Sequence, residues 1–386
     1  MPHLLCLNAG SSSLKFGVYE SHQDEPSMVV HGAIESIGGT GRFWIQRADG
    51  TPLCDQNLSV VDHAAAVCTA LRQLQSLPLL DVVAVGHRVV HGGGRYGQPV
   101  LITDQVLNDL RSYSSFAPLH QPPQLAVIER TTHEFPNTPQ VACFDTAFHQ
   151  SLPEVAQWFP LPGRLFEQGL RRYGFHGLSY AFICRTHPDA VRGRAIIAHL
   201  GNGASLAAVR DGLPVDTTMG FSPAGGLMMG TRSGDLDPGV LIQLLRHHGY
   251  SVEQLDRLVN HESGLLGVSG LSADMRTIID SAASNPRAAF ALDLFCHILS
   301  KQIGALAVSV GGLDNLIFTG GIGEHSAEVR QRVAIRLNFL GVEVDATLNQ
   351  THSPLISTST SRCSVHVITT YEELELARQT SKLLRP

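Results

Sequence analysis

The sequence predicts an α/β protein of two domains, on three observations. At 386 residues the chain exceeds what a single hydrophobic core usually serves. A loop of small polar residues between two apolar runs occurs twice, once near the N-terminus and once near mid-chain. Each copy opens a stretch in which short apolar runs alternate with helical patterns.

The first loop, Asn8-Ala-Gly-Ser-Ser-Ser-Leu-Lys15, follows the apolar run Leu4 to Leu7. The second, His199-Leu-Gly-Asn202-Gly-Ala-Ser205, follows Ala195 to Ala198. Glycine has no Cβ, so backbone N–H groups in such a turn can approach an anionic oxygen closely. The hydroxyls of Ser11, Ser12, Ser13 and Ser205 add donors. One loop of this kind reads as an ordinary hairpin turn; two in matching places point to two halves facing one nucleotide.

The remaining elements follow in order. Val29 to Ile37 reads as extended and Ala64 to Leu74 as helical. Asp81 to Val85 is a strand that ends at Gly86-His87-Arg88, which puts Arg88 just past its C-terminal end, where open α/β sheets meet their ligands. Val141 to Phe144 delivers Asp145 in the same way, although a helix N-cap explains Asp145 equally well. In the second half, Asp237-Pro238 opens a helix that His247, His248 and Gly249 close. From Arg287 to Val310, residues Leu292, Phe295, Leu299, Ile303, Leu306 and Val310 step by three or four, the pattern of a helix with a buried face. Leu316 to Thr319 is a strand that runs into the glycine turn Gly320-Gly-Ile-Gly-Glu324-His-Ser326, with a helix starting near Ser326. Strand, glycine turn and helix start together suit a nucleotide. A last strand from Val365 leads into a helix whose first turn is acidic, beginning at Glu372.

Composition narrows the function. Hydrophobic content of 43% and charged content of 16% describe a globular protein. A net charge of −6 without a basic cluster argues against nucleic acid as a partner, so any anion must be held by local cations and amides. The seven cysteines (Cys6, Cys54, Cys68, Cys143, Cys184, Cys296 and Cys363) form no CxxC pair, which suits a reducing compartment. The start lacks a signal peptide and no later run approaches a membrane span, so a cytoplasmic protein is expected. The 19 histidines form no HExxH motif and no Cys/His cluster, so a structural transition metal is not expected. Neither GxxxxGK[ST] nor the protein-kinase motif set occurs.

Phosphoryl transfer needs cations around the migrating group, a metal on the nucleotide oxygens and an acceptor held in line. Arg88, in His87-Arg-Val-Val-His-Gly-Gly-Gly94, and Arg232, in Met228-Met-Gly-Thr-Arg-Ser-Gly-Asp235, stand beside glycine-rich turns. A guanidinium grips a carboxylate or phosphate with two N–H groups. Lys15 follows the first loop and can neutralise a phosphate. Hard oxygen ligands and phosphates point to Mg²⁺, with Mn²⁺ an alternative.

The segments Asn8 to Lys15, His87 to Gly93, Phe144-Asp-Thr-Ala-Phe-His149, Arg172-Tyr-Gly-Phe-His176-Gly177, His199 to Gly203, Met229 to Pro238, Asp274-Met-Arg276 and Gly320 to Glu324 resemble the acetate kinase family, in order and across nearly the whole chain. The resemblance implies the actin-like (ribonuclease H-like) α/β fold: two duplicated domains with a nucleotide cleft between them. The expected boundaries are 1–147, with the C-terminal helix 373–386 packing back on that domain, and 148–372. The implied reaction is reversible, Mg²⁺-dependent phosphoryl transfer between ATP and acetate, giving ADP and acetyl phosphate by direct in-line transfer. A homodimer is implied as well.

Matched position by position, Asn8 and Glu372 would bind Mg²⁺. Lys15, Ser11, Ser13 and the loop His199, Leu200, Gly201, Asn202 and Gly203 would contact nucleotide phosphates. Asp274, Met275 and Arg276, with Gly321, Ile322, Gly323, Glu324 and His325, would hold the adenosine side. Arg88 would meet the carboxylate, Arg232 and His176 would stabilise transition-state charge, and Asp145 would orient that array. Val90, Leu119, Phe175 and Pro223 would receive the methyl group. A carboxylate acceptor is already ionised at neutral pH, so Asp145 is cast as an orienter and not as a base.

Three departures from the family pattern stand out. Ser222-Pro-Ala-Gly-Gly226 replaces a Pro-Leu-Glu-Gly segment, removing a carboxylate beside the Arg232 loop, while His325 and Tyr371 each replace an asparagine. Propionate kinase has the same fold and nearly the same motifs, and one methylene in an apolar pocket is worth only about 1–3 kcal/mol. A non-catalytic nucleotide sensor on this fold is a further alternative.

Overall fold

The structure is a computed structural model that describes residues 2–21, 25–75 and 81–385. Two units divide the chain: Met1–Gln150, Gly177–Phe182 and Tyr371–Pro386 form unit 1, and Ser151–His176 with Ile183–Thr370 form unit 2. Met1 and Pro386, the outer ends of the expected domains, lie outside the described residues.

In unit 1, β1 (Pro2–Ala9), β2 (Ser13–Glu20), β3 (Ser27–Glu35), β4 (Thr40–Arg47), β5 (Pro52–Ser59), β6 (Asp81–Val89), β7 (Val100–Leu101) and β8 (Gln140–Phe144) build one sheet in the order β5-β4-β3-β2-β1-β6-β8-β7. The first five strands form an antiparallel meander, whereas β1, β6 and β8 run parallel. Side chains alternate across a strand, so the sheet sorts its residues by parity. Leu5, Leu7, Leu14, Phe16 and Val85 share a core with Ala66, Val67, Ala70 and Leu71 of the helix His63–Gln75 and with Val127 of the helix Gln121–Glu134. Leu4, Cys6, Tyr19, Ala84, Val141 and Cys143 take the other face, under Leu376 and Ala377 of the C-terminal helix Glu372–Leu384. That helix approaches closely: a Cβ on Gly86 would lie 2.3 Å from Thr380 Oγ1.

Asn8, Lys15, Arg88 and Asp145 continue the second parity at the ends of their strands. Asn8 pairs directly with Lys15, Cys6 with Gly86, and Gly86 with Val141. The sequence placed Arg88 past the end of its strand; β6 instead runs on to Val89, because ladder pairing with β8 continues to Val89 and Phe144. The segment Gly177–Phe182 was expected in the second domain and belongs to unit 1. Leu178 joins the unit 1 core, and Gly177 N–H donates to the Asp145 carbonyl at 2.9 Å.

Unit 2 repeats the plan. Strands β9 (Arg194–Leu200), β10 (Ala204–Arg210), β11 (Leu213–Thr217), β12 (Asn315–Thr319) and β13 (Ser364–Val367) form a sheet ordered β11-β10-β9-β12-β13. An antiparallel hairpin, β9–β10, again leads a parallel set, β9, β12 and β13. The helix Pro286–Val310 buries the predicted Leu292, Phe295, Leu299, Ile303, Leu306 and Val310. Asn285 Oδ1 caps its start by accepting from the N–H groups of Arg287 and Ala288. Against the expectation that no run approaches a membrane span, this helix of 25 residues is long and apolar enough by length and composition. It is half buried within unit 2 and packs on β9, β10 and β11.

The glycine turn after β12 is also more regular than expected. It is itself a short helix, Gly320–His325, and Ser326 then caps the next helix, Ala327–Arg336, by accepting from Val329 N–H.

Candidate active site

Unit 1 gathers one set of charged side chains at the ends of β1, β6 and β8. Arg88 donates from Nε to Asp145 Oδ1 and Oδ2 at 3.2 and 3.0 Å, from Nη2 to Asp145 Oδ2 at 2.6 Å, and from Nη1 to Asn8 Oδ1 at 2.9 Å. One N–H on each terminal nitrogen remains uncommitted, the pair that a carboxylate or phosphate accepts. Asn8 Nδ2 donates in turn to Glu372 Oε2 at 3.0 Å and Glu373 Oε1 at 2.9 Å.

Burial opposes charge on Arg88, but Asp145, Glu372 and Glu373 outweigh it and hold the guanidinium protonated. Burial likewise pushes the Asp145 carboxyl up while Arg88 pulls it down. The two side chains are only 15% and 1% exposed. A neutral Asp145 would remove the carboxylate that accepts from both Nε and Nη2 of a largely buried guanidinium, so the pair is ionised. The carboxylate is spent on Arg88, which decides against the helix-cap reading.

Arg88 pairs with Asp145 and, at 3.9 Å, with Glu372, so with Glu373 one cation stands among three carboxylates, a surplus of negative charge. That surplus, with hard oxygen donors, fits a divalent cation such as Mg²⁺, which takes few protein ligands and shares the rest with phosphates. Among the described residues no group of three or more His, Cys, Asp or Glu has the arrangement of an all-protein metal cage. Lys15 is exposed on β2, Ser11 is exposed at the hairpin tip and Ser13 is half-buried. The hairpin closes through Gly10 N–H to Ser13 O at 2.8 Å.

Unit 2 gathers a second set around the β9–β10 hairpin. His176 occupies a left-handed conformation, φ 58°, as the residue before the helix Gly177–Thr186. Such strain in a non-glycine residue concentrates at functional sites. Its Nδ1 shares a hydrogen bond with Ser205 Oγ at 2.9 Å, and its ring stacks on His199 with centroids 4.3 Å apart. A Cβ on Gly203 would lie 3.3 Å from His176 Nε2 and 3.4 Å from Arg232 Nη1, so the loop, the histidine and the arginine meet. Arg232 Nη1 also donates to the Pro223 carbonyl at 3.3 Å. Gly201 N–H closes the loop on the Gly203 carbonyl at 2.9 Å, Asn202 is exposed at the tip, and the Leu200 side chain is buried in the core. Leu200 can therefore offer a ligand only its backbone.

The other expected nucleotide residues divide by role. Asp274 caps the helix Met275–Ser281, accepting from Thr277 N–H and Oγ1, and Met275 is buried. Arg276 is exposed. Glu324 is turned inward and accepts from Gly320 N–H at 2.8 Å and Thr370 N–H at 3.3 Å. Gly321 and His325 are exposed, Ile322 is half-buried and Gly323 is buried. Gly321 has no positive φ, and a Cβ there would meet nothing within 4 Å. Among the described residues nothing requires that glycine. Of the residues expected to receive the methyl group, Val90 and Leu119 of unit 1 are buried and half-buried, as are Phe175 and Pro223 of unit 2, respectively.

Residues 3–378 match the profile of the Acetokinase family. The chain belongs to the acetokinase family. Its members are kinases that transfer phosphate to a carboxylate, and the fold is actin-like. An acetate kinase of Rhodopseudomonas palustris is 44% identical, with 98% of each chain covered. One of Clostridium botulinum is 40% identical, over 99% of this chain and 100% of that one. Among solved structures, Porphyromonas gingivalis acetate kinase superposes with a TM-score of 0.87 at 35% identity, both chains fully covered. A propionate kinase from Francisella tularensis gives 0.89 at 34% identity, over 99% of this chain and 100% of that one.

Set in the acetokinase family, the departures acquire structural content. At the Gly225 departure the loop is held by Asp235, which accepts from Gly226 N–H at 2.7 Å, and a Cβ on Gly225 would lie 3.3 Å from the same carboxylate oxygen. A second carboxylate at 225 would crowd Asp235. Tyr371 makes no side-chain cap for the helix it precedes and packs edge-on against Phe182. Sequence reading missed two residues. Glu373 shares the Asn8 amide with Glu372, and its only signal was its place in an acidic helix start. Gln124, buried on its helix, donates to the Ala9 carbonyl at 3.0 Å and accepts from Val90 N–H at 2.8 Å, tying β1 to the end of β6. Nothing local in the sequence marks it.

Proposed function

We propose that this kinase transfers the terminal phosphoryl group of ATP to acetate, reversibly and by direct in-line displacement, with Mg²⁺ bound to the nucleotide. The observation that carries the reading is Arg88: largely buried, held along one edge by Asp145, and left with one N–H on each terminal nitrogen. An acetate oxygen is ionised at neutral pH and attacks phosphorus without losing a proton. The barrier is repulsion between that oxygen and the phosphates, so cations dominate the catalysis. Arg88 binds and orients the carboxylate, and Asp145 fixes the plane of the guanidinium. Arg232 and His176 stabilise charge on the transferred group, with Ser205 fixing the imidazole. Gly203 allows the loop to approach both, and Val90, Leu119, Phe175 and Pro223 take the methyl group.

Glu372, Glu373 and Asn8 would hold Mg²⁺ directly or through water, and the ion would supply charge neutralisation on the phosphates. Lys15, Ser11 and Ser13 would add phosphate contacts. The turn Gly321 to His325 and Arg276 would take the adenosine side, through exposed groups that leave Glu324 inward. Propionate is the second reading, favoured by the similarity to a propionate kinase. The helices Pro238–His247 and Val252–His261 bury no residue and expose Val240, Ile242, Leu245 and Val252, which supports a homodimer. The negative net charge argues against a nucleic-acid partner, and cysteines without a CxxC pair suit the cytoplasm.

The test is formation of ADP and of a hydroxylamine-trapped acyl phosphate from Mg-ATP and acetate, propionate or butyrate. Highest kcat/KM for acetate is expected; no turnover with any acid would overturn the assignment.

A further inference from the structure

Among the described residues Arg330 is the largest fully buried side chain, at 0% exposure. Burying a guanidinium is costly unless every donor is satisfied. Here all five N–H groups are accepted, and by uncharged atoms. Nε donates to Asn349 Oδ1 at 2.7 Å, and Nη1 to the Gly323 and Glu324 carbonyls at 2.8 and 2.9 Å. Nη2 donates to the Asn349 carbonyl and to His352 Nδ1, both at 2.8 Å. Burial lowers the group to about 10, so it remains charged at neutral pH.

These bonds have a direction. Two go to carbonyls at the C-terminal end of the helix Gly320–His325, where a cation complements the helix end. At its other end the Glu324 carboxylate accepts from Gly320 N–H. Six residues are too few to hold a helix by their own hydrogen bonds, so this turn depends on what grips it from inside. A second arm passes through His352. Accepting at Nδ1 fixes the proton of that ring on Nε2, and the ring meets His325 edge-on, centroids 6.2 Å apart at 89°. His352 itself sits at φ 53°. Gly321 and His325 are the residues that remain exposed on the outer side.

We propose that Arg330 is a positioning residue for the nucleotide: it fixes the Gly320–His325 turn and, through His352, sets the His325 ring that the turn offers to the adenosine side. This rests on the reading of that turn as part of the nucleotide site. His325 is thereby a determinant of nucleotide preference, in place of the asparagine usual in the family.

The experiment compares His352→Ala, which removes one of the five bonds, with Arg330→Lys, which keeps the charge but has three donors for five acceptors, and with Arg330→Met. Hydrogen exchange at residues 321–325 is measured without nucleotide, ADP affinity by calorimetry, and KM for both substrates with kcat. Faster exchange and about a fivefold loss of ADP affinity are expected for His352→Ala, with larger losses for Arg330→Lys and the largest for Arg330→Met. KM for the acid and kcat at saturating ATP should stay within about twofold. If Arg330→Met fails to fold, His352→Ala carries the test. Unchanged exchange overturns the proposal, as does a rise in acid KM parallel to that for ATP, the mark of general loosening. Faster exchange with unchanged ADP affinity removes the turn from the nucleotide site. A wild-type protein that binds no ADP refutes the nucleotide reading itself, and the proposal with it.

Discussion

Gly321→Ala separates a ligand-imposed glycine from a fold-imposed one, because the two predict opposite signs. The backbone at 321 is compatible with alanine, and the added methyl meets no atom within 4 Å. Such a substitution stabilises by restricting the unfolded chain, typically by about 0.4–1 kcal/mol. For a domain the size of unit 2 that raises the unfolding midpoint by about 1–4 °C. If a nucleotide group presses against this backbone, however, the methyl occupies the space it needs. Loss of one hydrogen bond to a charged group costs about 1.5–3 kcal/mol, which lowers affinity about 10- to 150-fold. Calorimetric titration with ADP, beside thermal unfolding of the free protein, reads both. A variant that is more stable and binds ADP poorly supports the reasoning. Affinity within about twofold of wild type would refute it, as would a lower unfolding midpoint.

Three further outcomes are expected. Arg232→Ala should fold normally and lose roughly 10³-fold in kcat, by analogy with arginine fingers; near-normal turnover would remove Arg232 from the mechanism. Glu373→Gln should raise the Mg²⁺ concentration for half-maximal activity several-fold, as Glu372→Gln should, since both carboxylates accept from Asn8 Nδ2; an unchanged Mg²⁺ titration would leave Glu373 as a helix-end charge. His87 is buried, bonded to Gln140 Oε1 at 2.7 Å, and burial lowers it from 6.5 to about 4. The unfolded chain takes up that proton first, so this contribution to stability is complete above pH 6.5 and is lost as pH falls toward 4. Replacing His87 with Gln should flatten the fall by at most about 1.4 kcal/mol per pH unit; denaturant unfolding of both proteins across that range checks it, and parallel curves would contradict it.

Much of the architecture was legible because it rests on local rules. Apolar periodicity located the Pro286–Val310 helix, and the paired small-residue loops located the β1–β2 and β9–β10 hairpins that lead each sheet. Asp237 followed by Pro238 marked a helix start that the fold uses. Strand ends were less legible: ladder pairing with β8 carries β6 through Arg88, and pairing depends on a partner 50 or more residues away.

The site divides along the same line. Local sequence singled out Arg88 and Asp145 by their strand ends and Arg232 by its glycine-rich turn, whereas Asn8, His176 and Glu372 were proposed for the site only through the resemblance to the acetate kinase family. Which atoms those side chains meet was settled only by packing. Sheet parity brings Asn8, Arg88 and Asp145 to one face, and the C-terminal helix, arriving more than 200 residues later, adds Glu372 and Glu373 to them. The inward turn of Glu324 and the satisfied burial of Arg330 are likewise beyond local reading. A sequence pattern reports the periodicity and chemistry of neighbours along the chain. Whether a buried charge is neutralised, and by what, depends on groups that only the folded chain brings within hydrogen-bond distance.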